Sequence, residues 1–280
     1  MEQSIPQELR QALRQARKIA ALTGAGISAE SGIPTFRDAG GLWTRFKPEE
    51  LATREAFERN PRRVWEWYNE RRQKAASAEP NAGHRALAEM EHFVEEVTII
   101  TQNVDGLHQR AGSSRVLELH GNLFRTKCLA QGHPAEPDLT SKDDVPPRCP
   151  RCGSYLRPDV VWFGELLPEQ TYYQALQAVL SCDVLLVVGT SGIVEPAASL
   201  PHTALRAGAT VAVINPEITP LLEEETTYGL KPGRLYDLRG KAGEILPALV
   251  NATWKAPAQV DPPTPSSESN PGSPPSRDRD

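Results

Sequence analysis

Lys18-Ile19-Ala20-Ala21-Leu22-Thr23-Gly24-Ala25-Gly26-Ile27-Ser28 is a short apolar run that passes straight into two closely spaced glycines. Its apolar residues are nearly continuous rather than alternating, the pattern of a strand covered on both faces. Other runs repeat the plan. Val97 to Thr101 ends at Gln102-Asn103, Val184 to Val188 at Gly189-Thr190-Ser191, and Val211 to Ile214 at Asn215-Pro216. Helical spacing accompanies them: Gln7 to Arg17 carries Leu9, Leu13 and Ala16 on one face, and Thr171 to Leu180 and Glu195 to Arg206 read as helices. Buried strands alternating with helices predict an α/β fold with a mostly parallel sheet. In such sheets ligands sit beyond the carboxyl ends of the strands, where Gly, Ser, Asn and Gln collect here.

Two regions interrupt the alternation. Residues 39–93 are loop followed by helices, with aromatics at Trp43, Phe46, Phe57, Trp65, Trp67 and Tyr68, and residues 125–156 are polar and hold three of the four cysteines. They read as insertions that build a smaller lobe, leaving 1–38, 94–124 and 157–254 to the large domain. The segment 255–280 is rich in proline and serine, with Val260 its one large apolar side chain beyond Lys255. Burial there cannot offset the entropy of ordering, so a disordered tail is expected.

Composition removes several classes. A net charge of −5 on 280 residues gives no global basic field, so nucleic acid is not an expected partner. No stretch approaches the roughly 18–20 apolar residues that span a bilayer. The first 18 residues include Glu2 and Glu8 and lack an apolar core, unlike a signal or transit peptide, which points to a cytoplasmic protein. Four cysteines do not make a disulfide scaffold, whereas Cys149-Pro150-Arg151-Cys152 has the spacing of half a tetrahedral zinc site.

Gly24-Ala25-Gly26 after a strand suggests a turn that lets backbone N–H groups approach a pyrophosphate, although glycines commonly end strands for other reasons. The dinucleotide pattern of dehydrogenases fails in two ways. Gly32 falls eight residues after Gly24, where about five are needed, and no acidic residue closes a second strand about 20 residues on. A hydride-transferring enzyme is therefore disfavoured.

The full run Gly24-Ala25-Gly26-Ile27-Ser28-Ala29-Glu30-Ser31-Gly32-Ile33-Pro34-Thr35-Phe36-Arg37 resembles, nearly residue for residue, the cofactor signature of the sirtuins. Gln102-Asn103-Val104-Asp105-Gly106-Leu107-His108, Leu119-His120-Gly121, Phe163-Gly164-Glu165, Gly189-Thr190-Ser191 and Asn215 follow in the family's order. The resemblance implies a Rossmann-like large domain with a smaller inserted lobe of helices and a zinc module. It also implies an enzyme that uses NAD as co-substrate to remove acyl groups from protein lysines. The acyl oxygen would attack the ribose carbon as nicotinamide leaves, and the products would be free lysine and O-acyl-ADP-ribose.

Site residues follow from the same resemblance. Gly24, Ala25, Gly26, Ile27, Ser28, Glu30, Phe36, Arg37 and Trp43 would hold the cofactor. Gln102 and Val104 would hold it too, and Asn103 and Asp105 would contact its nicotinamide ribose and carboxamide. Ser191 and Asn215 would bind the adenosine half, with Ala242 as the last adenine contact, and Gly189, Thr190, Pro216 and Glu217 would also hold the cofactor. His120, with Asn103 and Asp105, would be catalytic, His120 acting as general base on a ribose hydroxyl; an imidazole titrates close enough to neutrality for that task. Read alone, Asn103 and Asp105 are ordinary turn formers and His120 a loop residue. Phe163, Gly164 and Glu165 would pair through their backbone with an acyl-lysine peptide added as a strand, which favours broad protein substrates. Two rivals share parts of this reading: a protein ADP-ribosyltransferase, and a catalytically silent NAD or peptide sensor.

The metal module departs from the family, which supplies a second Cys-x-x-Cys. Here Cys128 is followed three residues later by Gln131. With Cys128, Cys149 and Cys152 as ligands, His133, Asp138 or water is left for the fourth position on zinc. Cys182 precedes a buried strand and reads as core.

On a helix from Arg62 to Ala75, positions Val64, Tyr68, Arg71 and Ala75 share a face. A phenol beside a guanidinium could grip a carboxylate. The neighbouring Arg62, Arg63, Arg72 and Lys74 also suit a solvated basic helix, and spacing does not choose between Arg71 and Arg72. The resemblance does: Val64 through Arg72 is similar to the class III branch, where the tyrosine and the arginine three residues on bind acidic acyl groups. Leu51-Ala52-Thr53 matches that branch too, the small Ala52 leaving room for a longer chain. Desuccinylase and demalonylase activity beside deacetylase activity is implied.

Overall fold

The computed structural model describes residues 5–36, 41, 47–137, 145–222 and 234–255. Arg37, Trp43, Asp138 and the expected disordered tail beyond Lys255 lie outside the described residues. The strands are β1 (Lys18–Thr23), β2 (Glu96–Thr101), β3 (Val116–Glu118), β4 (Gly121–Cys128), β5 (Leu156–Val160), β6 (Val184–Val188), β7 (Thr210–Asn215) and β8 (Leu235–Arg239). Six form one sheet in the order β3-β2-β1-β6-β7-β8, every neighbouring pair parallel. β4 and β5 pair antiparallel in a separate two-stranded sheet.

The helices are α1 (Gln7–Gln15), α2 (Ala25–Ala29), α3 (Pro48–Leu51), α4 (Arg54–Arg59), α5 (Pro61–Ser77), α6 (Ala82–Met90), α7 (Leu107–Arg110), α8 (Glu169–Ser181), α9 (Leu200–Ala207) and α10 (Ala242–Val250). Both faces of the parallel sheet are covered. Ile19 and Ala21 of β1 pack with Leu9, Leu13, Leu87, Leu246 and Leu249 from α1, α6 and α10. Ala20 and Leu22 face the opposite way, onto Ala175, Val179, Leu200 and Ala204 from α8 and α9. Period-two alternation within one strand thus feeds two apolar layers, which is why the run in sequence is unbroken. The stretch expected as one helix from Glu195 divides into a 3₁₀ turn at Ala197–Ser199 and α9, with Pro201 in the first turn of α9. Proline suits that position because its missing N–H would have no partner there.

The smaller lobe is built by α3, α4, α5 and the β4–β5 ladder around Leu51, Phe57, Val64, Trp67, Tyr68, Leu123 and Trp162. Asn60 starts α5 by accepting the Arg63 N–H at 3.1 Å, with Pro61 in the first turn. β4 carries the chain from the large domain into the metal module, running across the division expected at residues 124–125. Strand order reverses between β1 and β6, so the crevice for a ligand opens beyond Thr23 and Val188. Among the described residues no helix is long and apolar enough to cross a membrane.

Candidate functional site

Two turns cross at that crevice. Gly24 follows β1 and precedes α2; Gly189 follows β6 with φ +57°. The Gly26 N–H donates to the Gly189 carbonyl at 2.8 Å. A Cβ on Gly26 would lie 2.7 Å from Gly189 Cα, and one on Gly189 would lie 2.4 Å from Ile27 N. Glycine at these positions lets the two backbones touch.

The end of β2 joins the crevice through Gln102. Its backbone N–H donates to the Thr23 carbonyl at 2.9 Å, and its Nε2 donates to Thr190 Oγ1 at 3.0 Å. Its carbonyl lies 3.0 Å from His120 Nδ1. A carbonyl only accepts, so Nδ1 carries the proton and Nε2 is left as the basic nitrogen. Burial pulls the His120 pKa down, opposed by the Gln102 carbonyl, which keeps the ring neutral and able to take a proton. The following residue must be glycine: Gly121 has φ +80°, and a Cβ there would meet the Asp159 carbonyl oxygen at 2.0 Å.

Asn103, Asp105 and Ser28 form a buried knot. Asn103 Nδ2 donates to the Gly24 carbonyl at 3.0 Å and to Ser28 Oγ at 3.1 Å. Ser28 Oγ donates to Asp105 Oδ2 at 2.8 Å, while the Leu107 N–H donates to Oδ1 at 3.0 Å. Burial raises the Asp105 pKa; the Leu107 N–H, the Ser28 hydroxyl and the Arg71 charge hold it back. Ala25, Ile27 and Val104 lie in the same turns.

Two histidines absent from the sequence-derived site adjoin this knot. His84 Nε2 is 3.5 Å from Ser28 Oγ, and its ring centroid is 4.9 Å from that of His108. Burial pushes His84 down to about 4 and His108 to about 3, so both are neutral. His84 is a lone histidine on a helix that nothing in local spacing marks, whereas His108 closes the Gln102–His108 motif without having been given a role.

Towards the adenosine half, Thr190 is buried and Ser191 exposed. Asn215 Nδ2 donates to the Glu217 carbonyl at 3.0 Å, closing the turn through Pro216 after β7. Ala242 is buried as the first residue of α10. Glu30 is engaged by the fold: its carboxylate accepts the Gly243 N–H at 2.7 Å, tying α2 to the start of α10.

The structure separates the two arginines that spacing left equivalent. The Arg71 guanidinium sits 4.7 Å from the Trp67 ring centroid, 5.3 Å from Phe36 and 5.4 Å from Tyr68. Arg72 turns elsewhere, donating from Nε to the Leu123 carbonyl at 2.7 Å and from its guanidinium to Asn69. Tyr68 is buried, and its hydroxyl accepts the Trp162 indole N–H at 3.0 Å. Trp162 was not among the residues expected from sequence; its partner is 94 positions away.

Phe163, Gly164 and Glu165 are less available than expected. The Phe163 N–H donates to the Ala52 carbonyl at 2.9 Å and the Glu165 N–H to the Trp162 carbonyl at 3.0 Å. The Glu165 carboxylate accepts from Arg157 Nη2 at 3.0 Å and from the Trp162 N–H at 2.9 Å, so it anchors its own loop.

In the small module the Sγ atoms of Cys128, Cys149 and Cys152 all lie within 4.8 Å of one another. Cys128 and Cys152 are 3.5 Å apart, and His133 Nε2 is 3.7 Å from Cys149 Sγ. Zinc bonds of about 2.3 Å to sulfur and 2.0–2.1 Å to nitrogen give tetrahedral edges of roughly 3.5–3.8 Å. The three thiols fit the ion; His133 reaches Cys149 but lies outside the set whose ligand atoms are all within 4.8 Å of one another. Cys182 stands apart, its thiol pushed by burial up to about 12.

A profile of the Sir2 family matches residues 24–196. An NAD-dependent protein deacylase from Aquifex aeolicus is 52% identical over 233 residues, spanning 80% of this chain and 97% of the relative. NAD-dependent protein deacylase 1 of Archaeoglobus fulgidus is 46% identical over 250 residues, 89% and 98% of the two chains. Among solved structures, a Sir2 homologue–NAD complex superposes with TM-score 0.79 at 44% identity, covering 90% of this chain and 95% of that one. A Sir2–p53 peptide–NAD⁺ complex gives 0.76 at 29% identity, covering 90% and 100%. Profile, full-length relatives and superposition agree with the crossed turns and the Gln102–His120 geometry: the chain belongs to the Sir2 family.

Proposed function

We propose that the chain is an NAD-dependent protein-lysine deacylase whose acyl pocket prefers groups ending in a carboxylate, succinyl and malonyl, and also accepts acetyl. NAD lies across the crossed Gly24 and Gly189 turns, with the Gln102–Asp105 segment at its nicotinamide end. His120 Nε2 takes the proton of a ribose hydroxyl. Asn103 and Asp105 are held by Ser28 to face the ribose and the carboxamide. The substrate is an acylated lysine in a protein or peptide. The similarity to named deacylases and to NAD and peptide complexes supports this much.

Arg71 carries the finer reading. Its guanidinium is packed against three aromatic rings, and Asp105 is the carboxylate that acts on it through space. A desolvated cation of this kind gains most from an anion that arrives with the ligand. Zinc, held by Cys128, Cys149 and Cys152 with His133 as fourth ligand, would be structural, cross-linking β4 to the 149–152 turn.

The test is one peptide carrying succinyl, malonyl and acetyl groups in turn. Arg71→Met removes a charge-assisted contact worth about 1.5–3 kcal/mol, so kcat/KM for desuccinylation should fall about 10- to 150-fold. Deacetylation should change far less. Arg72→Met should lower thermal stability, because the Leu123 carbonyl loses its donor, yet leave the succinyl-to-acetyl ratio alone. Equal loss of both activities in Arg71→Met would defeat the carboxylate reading.

A further inference from the structure

We propose that Trp162 is a positioning residue for acyl recognition: its indole N–H fixes the Tyr68 hydroxyl so that the phenolic proton points to the acyl group. This inference rests on the carboxylate-selective reading above and deepens it.

An indole N–H donates and never accepts, and a guanidinium likewise only donates. Trp162 Nε1 lies 3.0 Å from Tyr68 Oη, so it occupies one lone pair of the phenol. Arg71, which also acts on that hydroxyl, cannot accept the phenolic proton either; of the other charges acting on it, Arg157 only donates and the Glu165 carboxylate is engaged by Arg157 and the Trp162 N–H. None of them offers the proton a destination. With the indole N–H spent on the phenol oxygen, the phenolic O–H and the Arg71 guanidinium remain as two converging donors, which is the complement of a carboxylate and a poor match for a methyl group.

Trp162 is itself held for the task. It is 1% exposed, with the Phe57 ring at 5.4 Å and the Arg157 guanidinium 3.3 Å from its ring centroid. Arg157 is pinned in turn by the Val160 carbonyl at 2.7 Å and by Glu165, which also accepts the Trp162 N–H. The Glu165 carboxylate so acquires a purpose: it locks the indole that aims Tyr68.

Trp162→Phe keeps a ring in place and removes the donor. The kcat/KM for a succinyl-lysine peptide should fall about 2- to 10-fold, the share of one neutral hydrogen bond. The loss should appear mainly in KM, with the acetyl-lysine peptide nearly unchanged. In a Tyr68→Phe background the same substitution should cause no further drop in the succinyl-to-acetyl ratio, since the hydroxyl it acts through is gone. Should Trp162→Phe fail to fold, site-specific benzothienyl-alanine supplies an isostere with sulfur in place of N–H, and the same ratios apply. Equal losses on both peptides, or fully additive losses with Tyr68→Phe, would overturn the proposal. If Arg71→Met collapses the ratio and removal of the indole donor does not, the positioning role is wrong and the carboxylate reading stands. If Arg71→Met leaves the ratio unchanged, both fall.

Discussion

Ser28→Ala should raise the pH at which the enzyme loses activity on its acid side. The Ser28 hydroxyl donates to Asp105 Oδ2 at 2.8 Å inside a site where burial already raises the Asp105 pKa. A hydrogen bond to a charged group contributes about 1.5–3 kcal/mol, and at about 1.36 kcal/mol per pH unit its loss moves the acid limb up by about one to two units. Because the folded-state pKa of Asp105 lies above its unfolded value, ionising it costs stability. That cost is absent below the unfolded pKa and develops as pH rises through the folded one. The variant deepens it, so its stability deficit should be largest above the folded-state pKa of Asp105 and shrink as the pH falls below it. Asn103 Nδ2 keeps its bond to the Gly24 carbonyl, which limits collateral disorder. The assays are kcat/KM for NAD against pH at saturating acyl peptide, and urea unfolding at pH 8 and pH 5. An unmoved acid limb with a deficit equal at both pH values would refute the role given to this bond.

Two further outcomes follow from buried groups. His84 and His108 are held neutral down to about 4 and about 3, while unfolded imidazoles protonate near 6.5. Stability should therefore fall by about 1.4 kcal/mol per pH unit per histidine below pH 6.5, ending for His84 near pH 4; His84→Gln should flatten the slope of urea-derived stability, and an unchanged slope would count against it. Freshly purified protein should contain one zinc ion per chain by elemental analysis, and His133→Ala should lower both zinc retention and melting temperature; unchanged values would exclude His133 as a ligand.

The central strands could be read from sequence because β1, β2, β6 and β7 are buried on both faces and leave continuous apolar runs. The edges could not. β3 is three residues long and β8 reads Leu-Tyr-Asp-Leu-Arg, with one residue fully buried. β4 is polar over Arg125-Thr126-Lys127, and its register against β5 shifts between Asn122 and Thr126, which hides any clean alternation. In the site, residues at strand ends were legible as a group because topology gathers them there. Partners chosen by tertiary packing were not: the indole on Tyr68, the guanidinium on Glu165 and the two histidines behind Ser28 join segments with no mutual periodicity. Spacing alone leaves Arg71 and Arg72 equivalent within a turn of Tyr68, where the family resemblance chose Arg71; in the fold Arg72 turns away to the Leu123 carbonyl, Asn69 and the Trp65 ring.

One ladder supports both the base and the acyl selector, and this limits what the metal module can influence. β4 starts at Gly121, directly after His120, and the Val161 N–H beyond β5 donates to the His120 carbonyl at 2.9 Å. The next residue is Trp162, whose indole sets Tyr68. At its far end the same ladder pairs Cys128 with Leu156, beside the three thiols. Loosening that end should disturb His120 and Trp162 together, since Val161, which holds the His120 carbonyl, and Trp162 are consecutive residues. Graded zinc removal by a chelator should thus lower desuccinylation and deacetylation in parallel, with melting temperature falling alongside. Arg71→Met and Trp162→Phe should change the ratio of the two activities; zinc loss should not. If partial zinc removal shifted the succinyl-to-acetyl ratio as strongly as Arg71→Met, the pocket would depend on the module by a route other than the shared ladder.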